Sequence, residues 1–390
     1  MLSFTNSSVT EELFTFSLLS LSLSPSKMSD ASKISESPNT KNKYEKIISN
    51  LRQDDGWKPV GKLYEYQGFW YGPSLVQNVI SAQESFTPQP TDIVLCSSPK
   101  SGTAWLKALA FSIVSRNRVN DSTNPLLKKL PHEIVPFLEI ELAQDSNNRN
   151  LETPFVATHI PYSSLPRSII DSSCKIIYIC RDPKDVLISH WNFDQQVSGI
   201  GSESFPLEEA LEQYCKGIYP FGPYWDHVLG FWKASLEFPE KVLFVKYEDL
   251  KTDGPFHVKR MAKFMGHPFS IEEEQQGAPE KIVSMCSFEN LSRLEVNKNG
   301  KYYLPDLPTF ENKSFFRKGK AGDWKNYLTD GKAVKFNQIM EEKFSGSGLV
   351  WCPYMKPETQ LLLSLSCLIS AWINGTCRFT SVTRLSSSSI

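Results

Sequence analysis

The sequence predicts an α/β fold, a single domain with a central parallel sheet flanked by helices. Three observations carry that prediction. Four short apolar runs rich in β-branched residues are spread along the chain: Asp92–Ser97, Phe155–Thr158, Lys175–Cys180 and Lys241–Lys246. Near-continuous apolarity suits strands buried on both faces. Helical patterns separate these runs, among them Leu207–Cys215 and Trp225–Leu236, and such alternation implies parallel pairing with right-handed crossovers. The first run also leads through a tight turn straight into apolar helical periodicity.

Taken in order, residues 1–60 read as an N-terminal extension. Met1–Lys27 is rich in Ser and Leu, and no basic segment precedes its apolar stretch. It makes a poor signal peptide and a poor mitochondrial transit peptide, while its Ser content leaves a chloroplast transit peptide open. Met28 opens a polar segment that would serve as an ordinary start, so Met1–Lys27 reads as a flexible tail or an over-extended gene model. Residues 28–50 are expected to be disordered or loosely helical. The domain is expected over residues 61–350.

The turn after the first run reads Pro99-Lys100-Ser101-Gly102-Thr103-Ala104-Trp105-Leu106-Lys107. Amides at a helix start, with the positive end of its dipole, bind anions. Lys100 adds a point charge, Ser101 and Thr103 add donors, and Gly102 lets backbone approach a phosphate closely. The order Lys-Ser-Gly-Thr is P-loop-like without being a Walker A loop. A lone motif of this length is more often a strand-to-helix turn with a solvated lysine.

The second run ends in Thr158-His159-Ile160-Pro161, which puts an imidazole at a strand's carboxyl end. The third ends in Arg181-Asp182-Pro183, with Asp182 as N-cap and Pro183 at the first helical position. The fourth is followed by Tyr247-Glu248-Asp249. Ligands in parallel sheets bind at such strand ends. Far downstream, Phe316-Arg317-Lys318-Gly319-Lys320-Ala321-Gly322-Asp323-Trp324-Lys325-Asn326 gathers cations, glycines and a tryptophan, a second place where an anion would meet a guanidinium fork and backbone donors.

Together the two motifs resemble the cytosolic sulfotransferases, in their plant branch of flavonol- and steroid-type enzymes. The resemblance runs from about Tyr64 to Leu349. It implies transfer of a sulfuryl group from 3'-phosphoadenosine 5'-phosphosulfate (PAPS) to a hydroxyl of a small molecule such as a flavonoid, steroid or jasmonate, without a metal. By the same resemblance His159 is the general base and Lys100 stabilises the leaving oxygen. Ser101, Gly102, Thr103 and Ala104 belong to the phosphosulfate-binding loop. Arg181, Ser189, Arg317, Lys318 and Gly319 take the 3'-phosphate, and Trp105, Tyr247, Cys286 and Phe288 line the adenine site. The other histidines, His132, His190, His227, His257 and His267, read as structural.

Ala104 stands where the family usually has a second threonine, a loss of about 0.5–1.5 kcal/mol if it removes one neutral hydrogen bond. The family's dimerisation pattern would begin at Lys325 and is broken by Asp330 and Val334, which favours a monomer. Residues near Tyr64–Tyr71, Ile160–Leu165 and Tyr219–Trp225 are expected to line an apolar acceptor pocket.

Composition fits a cytoplasmic enzyme. The formal net charge of −1 gives no bulk attraction to nucleic acid or to an anionic membrane. Eight cysteines show no zinc-ligand spacing, and a reducing compartment is the simpler reading. A nucleotide kinase would instead show a Walker A order and a magnesium-binding carboxylate, for which Glu248-Asp249 is the only candidate. A non-catalytic nucleotide-binding relative is the third reading, and against it Lys100, His159, Arg181, Ser189 and Arg317 are all present. Residues 351–390 form an atypical tail to which no function is given. Its apolar run Leu361–Trp372 is short of the roughly twenty residues a membrane span needs, and the Asn374-Gly375-Thr376 sequon has no meaning in the cytosol.

Overall fold

The computed structural model describes residues 38–349, apart from 121, 144–152, 305–306 and 308. The expectations for residues 1–37 and 351–390 lie outside the described residues. The chain divides into Met1–Lys43 and Tyr44 onward. Of the first part, only the start of the helix Pro38–Ile48 is described.

The centre is a four-stranded, wholly parallel sheet: β1 (Ile93–Ser97), β2 (Phe155–Thr158), β3 (Lys175–Cys180) and β4 (Val242–Lys246). Its spatial order is β2-β1-β3-β4. After β1 the chain crosses to one side to build β2, then returns to the other for β3. The strand order therefore reverses at β1, where a crevice opens beyond the carboxyl ends.

Alternate strand residues enter two separate apolar cores. Val94, Cys96, Ile176, Tyr178 and Phe244 join one; Ile93, Leu95, Ile177, Ile179 and Val245 join the other. Both faces are covered, which is why these strands read as unbroken apolar runs. The helix α1 (Thr103–Ser115) packs into the second core through Leu106, Leu109 and Ile113. On the opposite face, α2 (Pro183–Ser198) contributes Val186 and Leu187, and α3 (Tyr224–Glu237) contributes Val228 and Phe231. The α2 N-terminus is as expected: the Asp182 side chain accepts from Lys184 N at 2.9 Å, and Pro183 follows. The two helical patterns read from sequence prove slightly longer, at Leu207–Lys216 and Tyr224–Glu237.

The expected extension over residues 1–60 is corrected from Tyr44 onward. Tyr44 and Trp57 are buried in the first core. Residues Arg52–Asp54 pair antiparallel with Leu63–Tyr66, which pairs with Phe69–Tyr71. The polar composition of this stretch masked its anchors. Trp57 is fully buried, meets Phe205 and Tyr219 at ring distances of 5.2 and 5.6 Å, and donates its indole N–H to Asp194 at 2.7 Å. Trp57→Ala should therefore cost about 3–5 kcal/mol of stability, read as a lowered midpoint in urea unfolding. An unchanged midpoint would show that the segment is dispensable to the domain.

Candidate active site

Residues 98–102 join β1 to α1 in a turn that only special backbone angles allow. Lys100 has φ 64° and Gly102 has φ 111°. A Cβ at Gly102 would lie 3.0 Å from the Tyr247 ring and 3.3 Å from Ile179, so glycine is required there twice over. The first amides of α1 have no partner within the helix. The hydroxyls of Ser98 and Ser101 are buried without hydrogen-bond partners. Ser97 and Thr103 hydroxyls meet at 2.7 Å and tie the strand end to the helix start. This is a cradle of unsatisfied donors, suited to an anion.

Lys100 has its ammonium 3.7 Å above the Phe193 ring centroid. Burial pulls its pKa down to about 7, Asp194 opposes that, and the guanidiniums of Arg317 and Arg181 add to it.

His159 follows β2. Its Nδ1 lies 2.7 Å from the Ser97 carbonyl oxygen, which can only accept, so Nδ1 carries the hydrogen and Nε2 the lone pair. The backbone beside it is clamped as well. Glu139 accepts from His159 N and from the Thr158 hydroxyl, each at 2.8 Å. His227 Nε2–H donates to the His159 carbonyl at 2.9 Å, and Tyr178 hydroxyl meets His227 Nδ1 at 2.9 Å. Burial lowers the His159 pKa to about 3, so the ring is neutral across the physiological range. Beneath it, fully buried Lys107 donates to Val135 O at 2.8 Å.

A second cluster lies at the β3 and β4 ends. Arg181 donates to Lys320 O at 2.8 Å and stands 4.7 Å over the Tyr247 ring. Tyr247 hydroxyl donates to Gly319 O at 3.0 Å. The distal loop is pinned onto α2 by Asp185, whose carboxylate accepts from Gly322 N at 2.7 Å and Trp324 N at 3.0 Å. Arg317 and Lys318 both reach Asp323, at 2.5 and 2.8 Å. Burial alone would raise the Asp323 pKa, but the hydrogen bonds from Lys318, Arg317 and Asn326 hold it at about 2. Nε of Arg181, Nε of Arg317 and Nε1 of Trp105 are buried and unpaired, three further donors with nothing yet to bind.

Every residue that the resemblance assigns to catalysis or cofactor binding, except Ser101, lines one cavity of about 530 Å³. Trp105 meets Tyr247 edge-on at 5.2 Å, while Phe288 sits under Gly319, and Cys286 is buried with its sulfur 3.3 Å from Ser112 Oγ. Ser189 reaches the cavity from α2. The acceptor-pocket expectation needs correction: of the three stretches named, only Pro220 and Phe221 reach this cavity. Its apolar wall comes instead from Phe137, Ile140, Phe193, Phe315 and residues 72–75. Sequence reasoning also missed Glu139 and Asp185, whose contacts span 20 and 137 residues of chain, and Asp323, whose partners Arg317, Lys318 and Asn326 lie within its own loop. It set His132, His190 and His227 aside as structural. His132 and His190 line the cavity, and His227 braces His159.

A parallel sheet with an anion cradle at its switch point and a fixed neutral imidazole beside it defines a group-transfer enzyme. A family model for the sulfotransferase domain matches residues 90–348. A flavonol sulfotransferase-like protein of Flaveria bidentis is 50% identical over 289 residues, covering 74% of this chain and 93% of its own. Cytosolic sulfotransferase 16 of Arabidopsis thaliana is 43% identical over 330 residues, covering 83% and 96%. A mouse sulfotransferase crystallised in complex with PAP aligns with TM-score 0.55 at 26% identity, over 73% of this chain and 95% of that one. The chain belongs to the sulfotransferase family and is a PAPS-dependent sulfotransferase.

Gly319 offers a direct check on the distal loop. It has φ 61°, and a Cβ there would fall 2.3 Å from the Phe288 ring. Gly319→Ala should weaken PAP binding at least tenfold by calorimetry while leaving the thermal unfolding midpoint within a few degrees. Unchanged affinity would separate this loop from the nucleotide.

Proposed function

We propose that this cavity passes the sulfuryl group of PAPS in line to a hydroxyl of a flavonol-type small molecule, with His159 as general base and Lys100 at the leaving oxygen. The observation that carries the reading is the His159 tautomer. With Nδ1–H committed to Ser97 O, Nε2 is the atom left to take a proton, in a cavity that Lys100 also lines. A neutral imidazole can accept the hydroxyl's proton as oxygen attacks sulfur. Charge then grows on the oxygen bridging sulfur to phosphate, where an ammonium and loop amides stabilise it.

The 5'-phosphate is assigned to the amides of residues 100–105 with the hydroxyls of Ser101 and Thr103; Ala104 contributes backbone only. Arg181, Ser189, Arg317, Lys318 and Gly319 are assigned to the 3'-phosphate. The unpaired Nε atoms of Arg181 and Arg317 support that assignment. Adenine fits between Trp105 and Phe288, with Tyr247 and Cys286 alongside. The aromatic wall of Phe137, Phe193 and Phe221 suits a flat acceptor, and the kinship with a flavonol sulfotransferase-like protein favours a flavonol. The enzyme acts as a monomer in the cytoplasm, on a small molecule rather than on nucleic acid or a membrane. The name of the Arabidopsis relative supports that compartment, and among the described residues no helix is long and apolar enough to cross a membrane.

Transfer of radiolabelled sulfate from PAPS to a panel of flavonols tests the reading. His159→Ala should lower kcat by about 10²–10⁴-fold with PAP affinity retained; a variant that keeps its rate would remove His159 from the chemistry. A second measurement follows from Lys100. With its pKa near 7 in the free protein, a neighbouring phosphate raises that value, so at about pH 8 binding must bring a proton in. Calorimetry in buffers of different ionisation enthalpy should detect net proton uptake on PAP binding, absent in Lys100→Met. Proton release, or no change, would contradict it.

A further inference from the structure

The helix α2 brings two polar side chains to the cavity wall that the transfer reaction leaves unused, His190 and Asp194. Both are buried, at 3% and 8% exposure. They stand one turn apart, and His190 Nε2 lies 3.3 Å from Asp194 Oδ2. The same oxygen accepts the Trp57 indole N–H at 2.7 Å. The rings of Trp57 and Tyr219, at 5.5 and 5.7 Å, fix the imidazole in place. Burial raises the Asp194 carboxyl to about 7, against the Trp57 hydrogen bond and the Lys100 charge. Above that pH the carboxylate can only accept, so Nε2 carries the hydrogen and Nδ1 the lone pair.

That Nδ1 is buried and has no hydrogen-bond partner. Lys100, whose charge opposes protonation of His190, rests its ammonium on the Phe193 ring. A buried acceptor left unpaired is costly, and such groups normally find a donor. The His190 ring is also close enough to His159 to oppose its protonation. The idle acceptor therefore sits in the same chamber as the base, within an aromatic wall.

We propose that His190, held by Asp194, is a specificity-determining residue whose Nδ1 accepts a hydrogen bond from a second hydroxyl of the acceptor, one that is not sulfated. The acceptors are then polyhydroxylated aromatic molecules. This deepens the sulfotransfer reading above and rests on it. A site built to pair a hydroxyl discriminates strongly against an analogue that lacks it, because the site's own polar group is left unpaired.

The test compares kcat/KM, at about pH 8, for a flavonol bearing several hydroxyls and for analogues each lacking one that is not sulfated. One analogue should lose about tenfold with the wild-type enzyme. In His190→Phe and His190→Leu that penalty should collapse to about twofold or less, and His190→Asn, whose amide oxygen reaches the Nδ1 position, should restore part of it. A wild-type enzyme with no penalty for any single hydroxyl overturns the proposal without recourse to variants. So does a penalty that persists in either apolar variant. An equal loss across all acceptors, with PAP affinity kept, would place His190 in proton transfer and overturn its recognition role. Wild-type enzyme that binds PAP yet sulfates no flavonol would take down the flavonol reading itself, an outcome distinct from the others.

Discussion

The hydrogen bond from His159 Nδ1 to the Ser97 carbonyl joins the carboxyl ends of two neighbouring strands, and the rest of the site is arranged around it. It fixes the imidazole tautomer. It also holds the ring beside the turn that begins at Ser98, so the imidazole and the anion cradle keep one spacing. Neither partner is free to drift: Glu139 and His227 clamp the backbone at His159, while the Ser97 hydroxyl is tied to Thr103. A parallel sheet makes this possible, because its register sets Cys96 beside Thr158 and the two chains leave their strands together.

Gathering Lys100, Arg181, Arg317 and Lys318 around one cavity would be self-defeating if their charges were left bare. Each is answered within the fold. Asp185 faces Arg181 at 3.4 Å and anchors the distal loop through two amides. Asp323 takes Arg317 and Lys318, and Asp194 offsets the depression of Lys100. The chain keeps a net charge of −1 and still concentrates positive potential where strands end. Fixed dipoles and charges of this kind need no reorganisation when the reaction occurs.

Much of this was legible in the sequence, for a physical reason. Strands buried on both faces must be apolar throughout, so β1 to β4 announced themselves, and β2 and β3 lie at the expected residues. Short loops at strand ends kept Lys100, His159, Arg181 and Tyr247 recognisable, because their places around the cavity follow from where a strand stops. The remainder was hidden by distance along the chain. Trp57 lies in a polar stretch and meets Asp194 across 137 residues. Glu139 reaches His159 from a single π-helical turn, Leu138–Leu142, and Asp185 meets Gly322 only across 137 residues. No periodicity marks such pairs. The apolar wall of the cavity was misplaced for the same reason, since Phe137, Phe193 and Phe315 come from three separate parts of the fold.

Asp323 has a consequence beyond neutralising its neighbours. It already takes one terminal nitrogen of Arg317 and the Lys318 ammonium, leaving the Arg317 Nε unpaired, so an anion entering their company must offer more than a carboxylate does. A singly charged ion such as chloride brings no gain over what is displaced. A phosphate monoester, carrying about −1.5 to −2 charge and three acceptor oxygens, brings a clear one. The carboxylate thus sets a threshold for entry. A basic loop paired in this way favours a dianionic group over a small monoanion.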